Sequence, residues 1–184
     1  MAAAAPTLTH VTRREPQSAG ENVAWLLGCT ATYLHTRGSP RLARPLLERA
    51  FTLDKRLQGE DHPDTLSSAN NLASNLYALG QYKQARQLHE DTLTRDRRIL
   101  GEDHPHALSS ANNLAIDLDA LGEHQQARQL HKDTLTRRRR ILGEDHPHTL
   151  SSALGQQPRH VLRALGDDEQ ARQPEEYVRA HRKG

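Results

Sequence analysis

A period of 42 residues governs this chain. Gly-Glu-Asp-His-Pro occurs at 59–63, 101–105 and 143–147, and only ten of 42 positions differ between residues 59–100 and 101–142. Residues 17–58 fit the same register more loosely, with Gly38 on Gly80, Ala43 on Ala85, Arg44 on Arg86 and Arg56 on Arg98. The 184 residues therefore divide into a disordered leader (1–16), a degenerate first unit (17–58), two close copies (59–100 and 101–142) and a damaged fourth unit (143–184). A fixed period of this size predicts an array in which each unit stacks only on its neighbours. A single aromatic-filled globule is excluded, because only 3% of the residues are aromatic.

Within one unit the apolar spacing is helical. Leu66, Ala69, Leu72, Ala73, Leu76 and Leu79 recur every three or four residues, and Gly80 follows where a helix C-terminus takes a left-handed residue. A second stripe runs through Tyr82, Ala85, Leu88, Thr92, Ile99 and Leu100 and ends at Gly101. Pro63 suits a first helical turn, and Asp61 beside it is expected to cap free amides. No stretch alternates as a strand would. Each unit thus reads as helix A (about 63–79), a tight turn and helix B (about 82–100), an all-α chain of antiparallel helix pairs.

The sequences Asn-Asn-Leu-Ala (70–73 and 112–115), Leu-Gly (79–80 and 121–122) and Gln-Ala-Arg-Gln-Leu-His (84–89 and 126–131) resemble the tetratricopeptide repeat. The longer period is similar to the kinesin light chain variety, and to the repeat arrays of bacterial STAND-type regulators. The resemblance implies an α-solenoid, a right-handed superhelix of about four units, with A helices lining the concave face. It also implies a non-enzymatic scaffold that binds a peptide or partner domain. An alternative reading is the sensor portion of a larger nucleotide-switch protein, since no Walker-type phosphate loop is present in this chain.

Two units depart from the pattern. Val23, Trp25, Leu26 and Leu27 make the first helix A unusually apolar, as packing on a preceding domain or a capping role would require. In the fourth unit Gly155 and Pro158 would break helix A, Pro174 stands where Leu130 stands in the third, and Leu165-Gly166 is displaced by two positions. A compensated reading-frame slip is the expected origin of Gln-Gln-Pro-Arg (156–159), and residues 176–184 are expected to fray.

Candidate groove residues follow from helical phase. Asn70, Ser74 and Tyr77 share one stripe, and Asn112, Ile116 and Asp119 are their equivalents. Three of the ten differences fall at 74/116, 75/117 and 77/119. A varied inner face on a constant scaffold is what a peptide-binding array needs, although drift at solvent-exposed positions would look the same. The kinesin light chain resemblance implies that Asn70 and Asn112 hold peptide main chain, with Asn71 and Asn113 as second candidates that could brace a helix instead.

Other chemistry is weakly supported. Net charge is only +2, so a dedicated polyanion binder is not expected, and Arg137, Arg138, Arg139 and Arg140 read as a solvated or anionic-partner surface. Nucleic acid is the less favoured partner, for want of interleaved aromatics. His104-Pro-His106 and His146-Pro-His148 repeat once per unit, which suits a joint between units better than a zinc site. His89 and His131 are read as helix B packing, and Cys29 as a small hydrophobe in an apolar stripe. No metal, cofactor or catalytic set is expected. No run approaches a membrane span and the N-terminus lacks a secretory pattern, so a cytoplasmic chain is expected. Self-association through exposed terminal repeats stays open.

Overall fold

The computed structural model describes residues 18–149. Six helices follow in order: α1 (Ala19–Thr36), α2 (Pro40–Gln58), α3 (Pro63–Ala78), α4 (Tyr82–Leu100), α5 (Pro105–Ala120) and α6 (His124–Leu142). Residues 147–149 open a further helical turn. No strand occurs among the described residues. The leader and the anomalies at Gly155, Pro158 and Pro174 lie outside them.

Each helix packs on the one before and the one after, and α3 also touches both α1 and α5. The A helices α1, α3 and α5 therefore form an inner row, and the B helices α2, α4 and α6 stand behind it. Apolar burial is organised by boundary rather than by unit. One cluster joins Ala31, Ala43, Leu47, Leu72, Leu76 and Ala85 from four successive helices. A second joins Leu93, Ala111, Leu114, Leu118 and Ala127 across the next boundary. At roughly 1.5–3 kcal/mol per buried Leu, most of the stabilisation of any unit resides in contacts with its neighbours. Small Ala43, Ala85 and Ala127, all fully buried, let the paired helices approach closely.

Glycine sets both kinds of turn. Between A and B helices, Gly80 has φ 76°. Its N–H donates to the Tyr77 carbonyl (2.9 Å), and the Gln81 N–H to that of Leu76 (2.9 Å), closing a Schellman-type end. Between units, Gly59, Gly101 and Gly143 lie at φ 90°, 89° and 88° with ψ of 160–168°, a region essentially reserved for glycine.

The cap expected of Asp61 belongs instead to the next residue. His62 Nδ1 accepts the Asp64 N–H at 3.2 Å, and His104 and His146 do the same for His106 and His148. Pro63 and Pro105 occupy the first helical position behind these caps. Asp61 is turned toward helix B. Arg95 Nη1 donates to Asp61 (2.8 Å), Nη2 to Glu60 (2.7 Å) and Nε to Asp91 (2.9 Å), while Arg98 donates to the other Asp61 oxygen (2.6 Å). The two guanidiniums, Arg98 foremost, hold the Asp61 carboxyl below its usual range. The motifs at 59–63 and 101–105 are thus complete joints.

Gly101→Ala should lower stability by about 1–3 kcal/mol through backbone strain alone, because open space surrounds the added methyl. Gly28→Ala, in the interior of α1 and also in open space, should raise it by roughly 0.5–1 kcal/mol. Chemical denaturation of the two variants measures both signs.

Candidate functional site

The A-helix stripe that faces away from the B helices is open. On α3 it runs through Ser67, Asn71, Ser74 and Ala78, on α5 through Ser109, Asn113, Ile116 and Ala120, and on α1 through Trp25, Cys29, Thr32 and Thr36. Asn71 and Ile116 are exposed, Ser74 and Asn113 are half-buried, and Trp25 is 50% exposed. Trp25 takes the place of Ser67 and Ser109, so the 42-residue register alone would have found it. Cys29 is half-buried at the edge of this stripe, and burial pushes its thiol up.

Asn70 and Asn112 sit elsewhere. The Asn70 amide donates to Ser110 Oγ at 2.8 Å across the α3–α5 seam, and Ser110 Oγ donates to Asp96 at 2.7 Å. The remaining Asn70 oxygen is buried without a partner, as is that of Asn112. At Asn70 the amide is therefore engaged in a brace between units. Asn71, the second candidate, is the asparagine of α3 that reaches solvent.

The differences between the two close copies also acquire physical causes. Tyr77 packs against Tyr82 with ring centroids 5.1 Å apart, and in the next unit Asp119 pairs with His124 at 2.9 Å. Positions 77/119 and 82/124 thus change together, as an aromatic pair or as a hydrogen-bonded Asp–His pair. Position 75/117 is fully buried between units. Asp117 pairs with His89 Nδ1 at 2.5 Å, whereas Asn75 donates to His35 Nδ1 at 3.2 Å. The position equivalent to His89 is Leu47, so the His–Asp pair exists at one boundary and not at the other. Of the three A-helix differences expected to line a groove, Ser74/Ile116 alone lies on the open stripe.

The arginine run does not form one surface. Arg138 is 4% exposed, and its Nη1 donates to the His148 carbonyl at 3.0 Å. Burial pushes its guanidinium pKa down. Arg137 repeats the Arg95 clamp on Asp103 (2.8 Å), Glu102 (2.5 Å) and Asp133 (3.0 Å), and Arg140 also donates to Asp103. Arg139 is exposed. The expectation of four solvated arginines fails at Arg138 because the repeat register puts it where Asp54 and Asp96 are buried.

Among the described residues, no three His, Cys, Asp or Glu side chains gather as a metal site. No helix among them is long and apolar enough to cross a membrane.

These helix pairs, their glycine turns and their stacking define an array of helical-hairpin repeats. The tetratricopeptide repeat family model matches residues 22–98 and again 68–140, and the chain belongs to that family. A kinesin light chain-like protein of Podosopora anserina with nearly identical TPR-like repeats superposes with a TM-score of 0.71 at 25% identity, covering 89% of this chain and 76% of that one. BtubC (BKLC) from P. vanneervenii gives 0.69 at 19% identity over 91% and 66% of the two chains. The apo form of RapI gives 0.64 at 14% identity over 90% and 44%. The last two share the fold. No curated protein matches the chain. Proteins of this repeat family typically serve as protein-interaction scaffolds and are generally non-enzymatic.

His89→Leu should cost about 3–5 kcal/mol by leaving the Asp117 carboxylate buried and unpaired. His89→Leu with Asp117→Asn restores the residue types of the Leu47/Asn75 boundary and should recover most of that loss in a denaturation cycle. His131 answers to pH. Burial lowers its pKa, so acid protonates the unfolded chain first, and stability should fall as pH drops below about 6.5. Melting curves of His131→Leu should show a shallower decline over that interval.

Proposed function

We propose that this array binds an extended peptide segment of a partner protein along the open stripe of α1, α3 and α5. The observation that carries the reading is the Ser74/Ile116 exchange. It places an exposed isoleucine on an inner face whose neighbouring A-helix differences are all committed to internal pairs. Asn71 and Asn113 offer a donor and an acceptor each to peptide backbone from successive helices. Trp25 supplies a large apolar contact at the α1 end, and Ile116 a smaller one on α5. Tyr77 and Asp119, tied to their own helix B partners, frame the groove at its turn end. This assignment moves the main-chain grip from Asn70 and Asn112 to the asparagines one position along.

Peptides selected from a displayed library against the purified array provide the test. Asn71→Ala with Asn113→Ala should weaken the selected peptides about tenfold, the loss of one or two hydrogen bonds, with the melting temperature held. Asn70→Ala should instead lower the melting temperature. Failure to select any peptide, or affinities unmoved by Trp25→Ala and by the double asparagine variant, would overturn the reading.

A further inference from the structure

Charge is sorted by row in this array. Helices α1, α3 and α5 contain no Lys or Arg, so every such residue within the six helices lies on α2, α4 or α6. The carboxylates of those B helices are already committed. Glu48 accepts from Arg44 (2.7 Å) and Glu90 from Arg86 (3.0 Å), while Asp91 and Asp133 hold Arg95 and Arg137 (2.9 and 3.0 Å). Asp54 and Asp96 are buried. A net charge of only +2 therefore conceals a row of helices with more cations than acids to meet them.

On α6 one exchange between the close copies concentrates this surplus. Arg44 and Arg86 are each met one turn on by a glutamate, Glu48 or Glu90, but Arg128 is met by Lys132. An attractive pair has become a like-charge pair, which destabilises a helix. Gln125 in place of Lys83 eases the crowding but supplies no acid, and neither Arg128 nor Lys132 makes an ion pair among the described residues. The single acid of α6, Asp133, is the one turned to Arg137. Arg128, Lys132 and Arg139 are all exposed, at steps of four and seven residues. At ~100° and ~1.5 Å per residue they lie within about 40° of one another, along a straight stripe ~16 Å long.

The occupant of such a stripe is anionic and short. A nucleic acid duplex, with one charge per ~1.7 Å, would run on past Arg139 into exposed Glu144 and Asp145. Helix α6 has no Phe, Trp or Tyr on which a base could stack. An extended peptide rises ~3.3 Å per residue, so about five or six acidic residues match the stripe from end to end.

We propose that Arg128, Lys132 and Arg139 of α6 dock a short acidic segment of a partner protein on the B-helix row. The site is separate from the open stripe of α1, α3 and α5 and does not depend on it.

Fluorescence anisotropy of a labelled hexaglutamate peptide, titrated with the full chain at ~50 mM salt, tests this. Lys132→Glu installs the residue type of positions 48 and 90, so it should hold the melting temperature while weakening the peptide about tenfold. Arg49→Glu makes the same change in net charge at an exposed position of α2 and should alter the affinity by no more than about twofold. Equal weakening by the two substitutions would reduce the effect to diffuse charge and overturn the proposal. So would an affinity unmoved by Lys132→Glu, or no binding of hexaglutamate. Duplex or single-stranded DNA that binds more tightly than the peptide, and is released by Lys132→Glu, would assign the stripe to nucleic acid and overturn it too.

Discussion

Among the described helices, α3 and α5 are each wedged between two B helices, their own and the one before, and this double contact is what the rest of the structure depends on. A single hairpin has too little apolar surface to fold, so Leu72 and Leu76 are buried only because α2 stands on one side and α4 on the other. Such a boundary could be purely aliphatic. Instead it contains a buried chain from Asn70 through Ser110 to Asp96, and a His89–Asp117 pair. Burial pushes the Asp96 carboxyl pKa up, with the Ser110 hydroxyl pulling against it, and Asp54 shows the same balance with Ser68. Desolvating such groups costs free energy that alternative aliphatic packing would not. Their physical effect is to penalise any register in which donor and acceptor fail to meet.

The joint between units divides its work residue by residue. Glycine takes a backbone conformation closed to other residues, Glu and Asp receive the arginines of the helix B that packs beside them, His caps the next helix, and Pro opens it. The motif cannot drift piecemeal, because Asp61 and Asp103 each serve two arginines. The helices have no such constraint. They diverge while the joint repeats unchanged.

Periodicity made the helices, the glycine turns and the stacking legible, because each leaves a local mark at fixed spacing. Side-chain commitments were not legible to the same degree. Asn70 and Asn71 are adjacent, identical in type and equally polar, yet one braces α5 and the other meets solvent. That outcome turns on which side of α3 approaches α5, a fact of superhelical geometry rather than of helical phase. The cap fell to His62 rather than Asp61 because Arg95 and Arg98, more than thirty residues away, compete for the carboxylate. Arg138 looked solvated within a run of four arginines, although its position in the repeat is that of buried Asp54 and Asp96.

Comparison of internal copies is informative about binding only after coupled changes are removed. Tyr77 with Tyr82 and Asp119 with His124 are one exchange seen twice. Gln81 and Glu123 each receive an arginine from the preceding B helix, Arg44 at 3.2 Å and Arg86 at 2.5 Å, so their difference tunes a boundary and not a surface. Asn75 and Asp117 differ along with Leu47 and His89. The same logic governs the ends of the array. At position 54/96/138 the third copy replaces aspartate with arginine, and that arginine turns to the carbonyl of His148 on the following unit. A boundary can therefore be rewritten only if both of its faces change, which makes matched exchange across a contact a stronger sign of packing than the apolar character of either face alone.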